Sequence, residues 1–429
     1  MKFINISEVK MSIVYEIAKK SKEVSYFLAN AGTKEKNKVL KDISEVLLEK
    51  SGEILSANNL DCLKAKKEGI SESLLDRLIL DHKRIEAISG SIQDVINFTD
   101  PVGEVIFGYN LPNGLALSNI RVPFGVIGII YEARPNVTVD CSVLCLKAGS
   151  AVILRGSSHA VNSNLKLVEV MRNVLIKNNF PADLIQIIPS SSREDAEEMM
   201  KLREYIDVLI PRGGKGLIDS VVSNSKVPVI ETGIGNCHIY IDNKFNLSVE
   251  KVISIVVNAK TQRPGVCNAA EKLLIHCENA EVLLPMILKA LENKNVKLKG
   301  CPLAQKIYPS IEAADENDWY AEYLDLIMAV KVVDGIEEAV KHINKYGSHH
   351  SETIITSDYE NARYFTSRVD SSAVYVNAST RFTDGGQFGM GAEIGISTQK
   401  MHWRGPLGLR QLTTNKFVVY GDGQIRTIS

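Results

Sequence analysis

Hydrophobic residues recur at three- and four-residue steps through the first hundred positions. Val39, Ile43, Val46 and Leu47 follow this spacing with Lys and Glu between them, and the stretch 71–98 repeats the pattern. Such spacing places apolar side chains on one face of a helix. The sequence therefore predicts packed amphipathic helices here, and this region contains no motif that carries chemistry.

The hydrophobic period changes between residues 100 and 122. Two runs that alternate apolar and polar positions flank the dipeptide Asn113-Gly114. Asn-Gly is the strongest short-range signal for a tight hairpin turn. We therefore expect a β-hairpin at 104–122 that is either a flap or an arm that pairs with another subunit.

Short runs rich in Val and Ile then alternate with helical stretches. Such runs are typical of strands that are buried on both faces. The predicted strands of this part are 124–131, 151–154, 184–188, 206–210 and 227–230. This rhythm predicts a parallel, doubly wound α/β sheet, which binds ligands at the carboxyl ends of its strands.

A second α/β unit is predicted after Glu231. Its strands are expected at 272–276, 327–333 and 352–356, with helices between them. The stretch 379–404 is rich in Gly, Thr and Ser and has little periodicity, which is typical of a long functional loop. One more strand is predicted near the C-terminal end.

Composition and charge narrow the class of protein. The chain has 429 residues, room for two or three domains, and its 50 basic and 51 acidic side chains give a net charge of -1. This balance argues against a dedicated nucleic-acid binder. No apolar run approaches the roughly 20 residues of a membrane helix, and the start lacks a secretory signal core. The seven cysteines form no CxxC pair and the histidines no ligand pair. We therefore expect a cytoplasmic protein with reduced thiols and no metal site.

A cationic glycine turn follows one predicted strand. Glycines at a strand-to-helix turn let backbone N–H groups approach a phosphate. The turn consists of Arg212, Gly213, Gly214 and Lys215. It is not a Walker A loop, because Leu209 and Gly216 occupy two of that motif's required positions. A plain surface turn is an equal alternative, but Arg155 at another strand exit favours a phosphorylated ligand such as NADP.

Cys267 is the candidate nucleophile among the seven cysteines. It follows Arg263, Pro264 and Gly265 between a predicted helix and a predicted strand. A neighbouring cation or helix terminus converts a thiol into a reactive thiolate. Spacing alone leaves an inert thiol as the alternative.

Four long blocks carry a resemblance that covers essentially the whole chain. They are residues 123–156, 227–242, 258–276 and 374–409. They resemble the gamma-glutamyl phosphate reductase family of the aldehyde dehydrogenase superfamily. The resemblance implies an α/β, aldehyde-dehydrogenase-like fold whose Rossmann-like cofactor domain lacks the usual glycine fingerprint. The implied domains are an NADP-binding domain (1–103 and 123–231), a catalytic domain (232–400) and an oligomerisation flap (104–122 and 401–429).

The resemblance also implies a reaction. L-glutamate 5-phosphate would be reduced with NADPH to L-glutamate 5-semialdehyde and phosphate, the second step of proline biosynthesis from glutamate. Cys267 falls on the family's nucleophile, which forms a thioester, and Asn136 falls near its oxyanion-stabilising Asn. Arg155 and Glu322 fall on cofactor-binding positions. Glu231 stands where oxidising relatives have a general base, and it is left outside the catalytic set.

Substrate and partner assignments follow from the same resemblance. Cations within the family blocks could hold the phosphate or the carboxylate of the substrate, and structural ion pairs are an equal alternative for each. These cations are Arg134, Arg263, His402 and Arg404. The expected partners are a second copy of the chain, in a dimer or tetramer, and glutamate 5-kinase, although no interface motif supports the kinase. The alternatives are a hydrolytic NAD(P)-dependent aldehyde dehydrogenase and a non-catalytic nucleotide-binding scaffold.

Overall fold

A computed structural model describes residues 12–426 of the chain. The described chain forms two compact units. The first contains residues 12–231, 390–395 and 407–426, and the second contains residues 232–389 and 396–406.

The helices alternate with strands from residue 126 onward. The helices are α1 Ile13–Asn30, α2 Thr33–Glu49, α3 Ser51–Lys67, α4 Glu72–Leu78, α5 His82–Asn97, α6 Pro135–Lys147, α7 Val161–Lys177, α8 Arg193–Met199, α9 Lys215–Asn224, α10 Val249–Thr261, α11 Cys277–Glu292, α12 Pro302–Ile307, α13 Glu316–Tyr320, α14 Ile336–Tyr346 and α15 Tyr359–Arg368.

The strands of the described residues form two parallel sheets and two smaller antiparallel ones. The strands are β1 Val105–Asn110, β2 Ala116–Pro123, β3 Val126–Tyr131, β4 Ala151–Arg155, β5 Ile185–Ile187, β6 Val208–Arg212, β7 Cys237–Ile241, β8 Ala270–His276, β9 Lys297–Gly300, β10 Glu312–Ala313, β11 Ile327–Val333, β12 Ser351–Ile355, β13 Ala373–Val376, β14 Ile396–Ser397, β15 Gly405–Pro406 and β16 Thr413–Tyr420.

The first unit contains a four-stranded parallel sheet in the order β5-β4-β3-β6. All six residues of β3 are buried, as a central strand with helices on both faces requires. Ile130 of β3 pairs with Arg155, and Tyr131 pairs with Arg212. The two arginines therefore end the strands on either side of β3, at the carboxyl edge of the sheet.

The predicted strand at 227–230 is reduced to a single bridge. Val229 bridges Leu209 of β6, and the Leu209 amide donates to the Pro228 carbonyl at 2.8 Å. Pro228 has no N–H of its own, so it cannot continue a ladder. The expectation of five strands in this sheet is corrected to four.

The predicted hairpin is confirmed. β1 and β2 pair antiparallel around a turn in which Gly114 has φ +88°, a conformation that glycine adopts without strain. The Gly114 amide donates to the Leu111 carbonyl at 2.9 Å and closes the turn. β16 then pairs with β2 to complete a three-stranded antiparallel sheet.

The second unit contains a seven-stranded parallel sheet in the order β10-β9-β11-β8-β7-β12-β13. The strands predicted at 272–276, 327–333 and 352–356 correspond to β8, β11 and β12. The entirely buried strand β7 was not predicted. Two parallel sheets with intervening helices confirm the predicted α/β fold class.

Candidate active site

Cys267 lies in a turn between α10 and β8 and is half-buried. Its carbonyl oxygen accepts a hydrogen bond from the Cys237 thiol at 3.2 Å. The carbonyl of the next residue, Asn268, accepts from the Thr380 hydroxyl at 2.7 Å. The backbone of this turn is therefore held at the candidate nucleophile and at the residue that follows it.

Gly235 makes a close backbone approach to this turn. A β-carbon built on Gly235 would overlap the carbonyl carbon and oxygen of Cys267. Only glycine leaves room for the two segments to lie this close. Glycine is needed at position 235 because the two backbone segments approach closely. Its backbone conformation does not require glycine, since Gly235 is not among the described glycines that have a positive φ.

Glu322 also contacts Gly235. Its carboxylate oxygen Oε1 accepts a hydrogen bond from the Gly235 amide at 2.6 Å. Burial raises the pKa of Glu322, and the hydrogen bond from Gly235 opposes that rise. The predicted nucleophile and the predicted cofactor-binding carboxylate are thus brought together through one glycine.

The loop that carries Glu322 is held by two neighbouring residues of β8. Lys272 Nζ donates to the Ala321 carbonyl at 2.7 Å, and Glu271 Oε1 accepts from the Leu324 amide at 3.3 Å. Glu271 also pairs with the buried Lys260 at 2.7 Å. Burial lowers the pKa of Lys272 to about 7 and raises the pKa of Glu271 to about 7.

Arg381 is a residue of this site that the sequence reasoning missed. It is half-buried, and its guanidinium donates to the side chains of Gln262 and Asn268. Burial lowers the pKa of Arg381, whereas Asp384 and the Cys267 sulfur raise it. No pattern in the sequence signals this role, because 114 positions separate Arg381 from Cys267.

The first unit contains a cavity of about 760 Å³ at the carboxyl edge of its parallel sheet. Its lining includes Arg155, Ser157, Ser158, His159, Ser191 and Arg193. The volume is within the range of small-molecule and cofactor pockets. Cationic and hydroxyl side chains in the lining suit a phosphorylated ligand.

The loop that follows β5 orients the side chain of Arg155. Its Nη2 donates to the carbonyls of Ser191 at 2.7 Å and Ser192 at 2.9 Å. Its buried Nε has no hydrogen-bond partner within the described part of the chain, a group that a ligand oxygen could satisfy. Arg193, by contrast, is exposed and lines the cavity. The residues present therefore fit a phosphate-bearing cofactor.

The Glu132 carboxylate contacts the glycines of the turn at 212–215. The Gly214 amide donates to Glu132 Oε1 at 3.0 Å, and a β-carbon on Gly213 would lie 2.7 Å from the Glu132 carboxyl carbon. Lys215, the first residue of α9, is exposed. None of the four predicted turn residues is among those that line the cavity.

Asn136 lies in the first turn of α6, which begins at Pro135. Pro suits this position because the missing N–H would have no helical partner. Asn136 Nδ2 donates to Asp140 Oδ2 at 3.0 Å, and burial raises the pKa of Asp140 to about 6. Arg134 is the N-cap residue of the same helix, so both predicted residues belong to the first unit.

The remaining predicted residues differ in their surroundings. Arg263 is exposed in the Cys267 turn, and His402 is exposed near the end of the second unit. Arg404 Nη1 pairs with Asp370 Oδ1 at 2.7 Å, which favours the structural ion-pair alternative for this residue. Burial and the nearby Asp219 raise the pKa of Glu231.

Membrane-spanning helices and metal sites are two further features to consider in residues 12–426. None of the helices there combines the length and apolar character needed to cross a bilayer. Within the same range, no three His, Cys, Asp or Glu side chains are grouped so that they could hold a metal ion.

Comparison with known proteins identifies the family. The model of the aldehyde dehydrogenase family matches residues 2–314. The chain therefore belongs to the aldehyde dehydrogenase family, whose members use a nicotinamide cofactor.

The similar relatives are more specific. A gamma-glutamyl phosphate reductase from Clostridium perfringens is 56% identical over 408 residues, which are 95% of this chain and 98% of that protein. One from Caldicellulosiruptor bescii is 56% identical over 420 residues, 97% of this chain and 100% of that protein. The crystal structure of gamma-glutamyl phosphate reductase from Thermotoga maritima is 51% identical, covers 97% of this chain and 100% of that chain, and superimposes with a TM-score of 0.95. These matches confirm the predicted branch of the family.

Proposed function

We propose that this chain reduces L-glutamate 5-phosphate to L-glutamate 5-semialdehyde and phosphate with NADPH, the second step of proline biosynthesis from glutamate. The observation that carries the proposal is that Cys267 and Glu322 both contact Gly235. The 56% identity to the Clostridium perfringens reductase supports the substrate. A non-catalytic scaffold would need neither the thiol nor the carboxylate.

The chemistry proceeds through covalent catalysis by Cys267. Its thiolate attacks the acyl carbon of the substrate, the bond from that carbon to the phosphate oxygen breaks, and phosphate leaves with the electron pair. The product of this step is a thioester on Cys267. Bound NADPH supplies the hydride that reduces the thioester carbon. Collapse of the resulting tetrahedral adduct breaks the carbon–sulfur bond, releases the aldehyde and returns the thiolate.

We assign Asn136 the stabilisation of the oxyanion in both tetrahedral states. A side-chain amide donor in this role contributes about 3–4 kcal/mol to the transition state. Asp140 positions that amide by accepting its other hydrogen atom. No water attacks the thioester in this reaction, so Glu231 is not required as a general base.

The cavity of the first unit is proposed to hold the adenosine half of NADPH. Arg155 and Arg193 supply positive charge there, which favours the extra phosphate of NADP over NAD. Glu322 would accept hydrogen bonds from the nicotinamide ribose. The turn at 212–215 is a weaker candidate, because the Glu132 carboxylate takes up its Gly214 amide.

The substrate's charged ends are proposed to bind cations. The candidates for this role are Arg134, Arg263, His402 and Arg404. Arg404 is the weakest of the four, because Asp370 accepts hydrogen bonds from two of its guanidinium nitrogens.

We also propose the domain roles implied by the resemblance. Residues 1–103 and 123–231 would bind NADP, residues 232–400 would carry the catalytic thiol, and residues 104–122 and 401–429 would form the oligomerisation flap. Residues 1–11 and 427–429 of these ranges lie outside the described residues. The proposed location is the cytoplasm, and glutamate 5-kinase is the proposed partner that would supply the labile acyl phosphate.

The proposed dimer or tetramer is supported by an exposed apolar face on the β1-β2-β16 sheet. Phe107, Tyr109, Phe417 and Val419 are each about half exposed, and the registers place them on one face. The Phe107 and Phe417 rings lie 6.1 Å apart. Replacing both with Lys should reduce the mass in light scattering to one chain, whereas Tyr359→Lys at another exposed site should not. An unchanged mass in the double variant would contradict the flap.

The activity is tested in the reverse direction with glutamate 5-semialdehyde and NADP. Reduction of NADP should require inorganic phosphate and should be lost in Cys267→Ala. Cys277→Ala, which removes an exposed thiol, is the matched control and should retain activity. Oxidation without phosphate would indicate a hydrolytic dehydrogenase, and inactivity of the wild type with every aldehyde would indicate a scaffold.

A further inference from the structure

Arg381 spans the two ends of the turn that carries Cys267. Its Nε donates to Gln262 Oε1 at 2.9 Å, on the α10 side of the turn. Its Nη1 donates to Asn268 Oδ1, directly after Cys267. One guanidinium is therefore fixed against both ends of the segment that contains the nucleophile.

The backbone around Arg381 is fixed against the same turn. Asn268 Nδ2 donates to the carbonyl of Thr383 at 2.8 Å and to that of Arg381 at 3.3 Å. The Thr383 hydroxyl contacts the hydroxyls of Ser351 and Tyr375, each at 2.6 Å. These contacts fix the backbone at Arg381 and Thr383 against the Cys267 turn.

The described residues provide no ion-pair partner for the positive charge of Arg381. Both side chains that accept hydrogen bonds from its guanidinium are neutral amides. Asp384 is the nearby acid, but its Oδ1 already accepts from the amides of Gly386 and Gln387. A half-buried, uncompensated cation is costly unless an anion faces it.

Four charged or titratable groups have the largest effects on the pKa of Arg381. They are Asp384, Cys267, Arg263 and Cys237. The Cys237 thiol is buried, and burial raises its pKa well above the usual value, so it stays neutral. Arg263 is a second cation and cannot neutralise the first. The Asp384 carboxylate and the Cys267 thiolate are therefore the two anions that the charge of Arg381 favours.

We infer that Arg381 is the residue that keeps Cys267 in the thiolate form and fixes the turn that presents it to the substrate. This inference deepens the proposed function and rests on Cys267 being its nucleophile. It gives Arg381 a positioning role, and the sulfur remains the atom that forms the bond.

The test is the pH dependence of alkylation of Cys267 by iodoacetamide, followed by peptide mass analysis in the full-length protein. In Arg381→Gln, the pH of half-maximal rate should rise by about 1 unit, which slows alkylation at pH 7 about tenfold. Arg381→Lys keeps the charge and should remain within about threefold of the wild type. Arg363→Gln, an exposed arginine of the same unit, is the control and should change nothing.

Two results would overturn the inference. One is an unchanged alkylation profile in Arg381→Gln. The other is an equal loss in Arg381→Lys, because the retained positive charge would then fail to favour the thiolate. Alkylation needs neither substrate nor cofactor, so the result is independent of the proposed reaction. If the profile shifts but phosphate-dependent activity is absent, the reaction is wrong and the role of Arg381 stands.

Discussion

Gly235 and Cys267 are in direct backbone contact, and a β-carbon on Gly235 would occupy the space of the Cys267 carbonyl. The amide of the same glycine donates to Glu322 at 2.6 Å. A single backbone position thus sets the nucleophile relative to the carboxylate that is proposed to hold the nicotinamide ribose. Reactions of this kind depend on such placement, since an error of about 1 Å can cost a hundredfold in rate.

Gly235→Ala should disrupt catalysis by displacing the Cys267 turn. We expect kcat/KM for the reverse reaction to fall about a hundredfold, with a lower melting temperature. The control is Gly52→Ala in α3, where an added β-carbon meets no atom within 4 Å. That variant should keep full activity and gain up to ~1 kcal/mol of stability. Full activity in Gly235→Ala would contradict the close approach.

Lys272→Met should weaken cofactor binding with little effect on the thiol. The change removes the donor that holds the Ala321 carbonyl, so the loop that carries Glu322 loses one of its two anchors on β8. We expect the KM for NADPH to rise about tenfold, as for the loss of one hydrogen bond to a charged group, and Cys267 alkylation to stay the same. Lys297→Met at an exposed position of β9 is the control. A fall in kcat without a change in the KM for NADPH would contradict the role of Lys272 in holding the loop that carries Glu322.

Arg193→Gln should reduce the preference for NADPH. If Arg193 faces the extra phosphate, kcat/KM with NADPH should fall about tenfold or more, while kcat/KM with NADH should stay nearly constant. Steady-state kinetics with both cofactors provide the measurement. Arg203→Gln, an exposed arginine outside the cavity lining, should alter neither value. Equal losses with both cofactors would assign Arg193 a structural role.

Asp140 should make stability depend on pH in a defined direction. Its pKa in the folded chain is about 6, above the usual value of 3.8, because the carboxyl group is buried. A raised pKa gives stability that is present below the unfolded value and is lost as the pH rises through about 6. The free energy of unfolding of the wild type relative to Asp140→Asn should therefore fall by about 2 kcal/mol from pH 4.5 to 7.5.

Urea unfolding at the two pH values measures this difference. Asp94→Asn, at an exposed position of α5, should give the same difference from the wild type at both. A pH-independent difference for Asp140→Asn would show that the carboxyl group titrates normally.

The sequence predicted the elements whose signals are local. The buried run at 124–131 became β3, and Asn113-Gly114 made the predicted turn. The strand at 227–230 was wrong, because Pro228 interrupts its hydrogen bonding, a cost that a count of apolar residues does not register. The buried strand β7 lies between glycine-rich and polar segments, which obscured its short apolar run.

Only the site residues in segments that resemble the family could be predicted from the sequence. The family resemblance indicated Cys267 and Glu322, but nothing in it showed that both contact Gly235. Arg381 was missed because its contacts join segments more than 110 positions apart. The family block indicated a substrate-binding role for Arg404, but it did not reveal the ion pair between Arg404 and Asp370.

The most direct test of covalent catalysis by Cys267 is a single turnover of glutamate 5-semialdehyde and NADP without phosphate. Formation of the thioester should release one equivalent of NADPH per Cys267 and then stop, with the acyl group found on the Cys267 peptide by mass analysis. Added phosphate should discharge that group and restart turnover. Continued turnover without phosphate, or an acyl group on another residue, would contradict the covalent mechanism at Cys267.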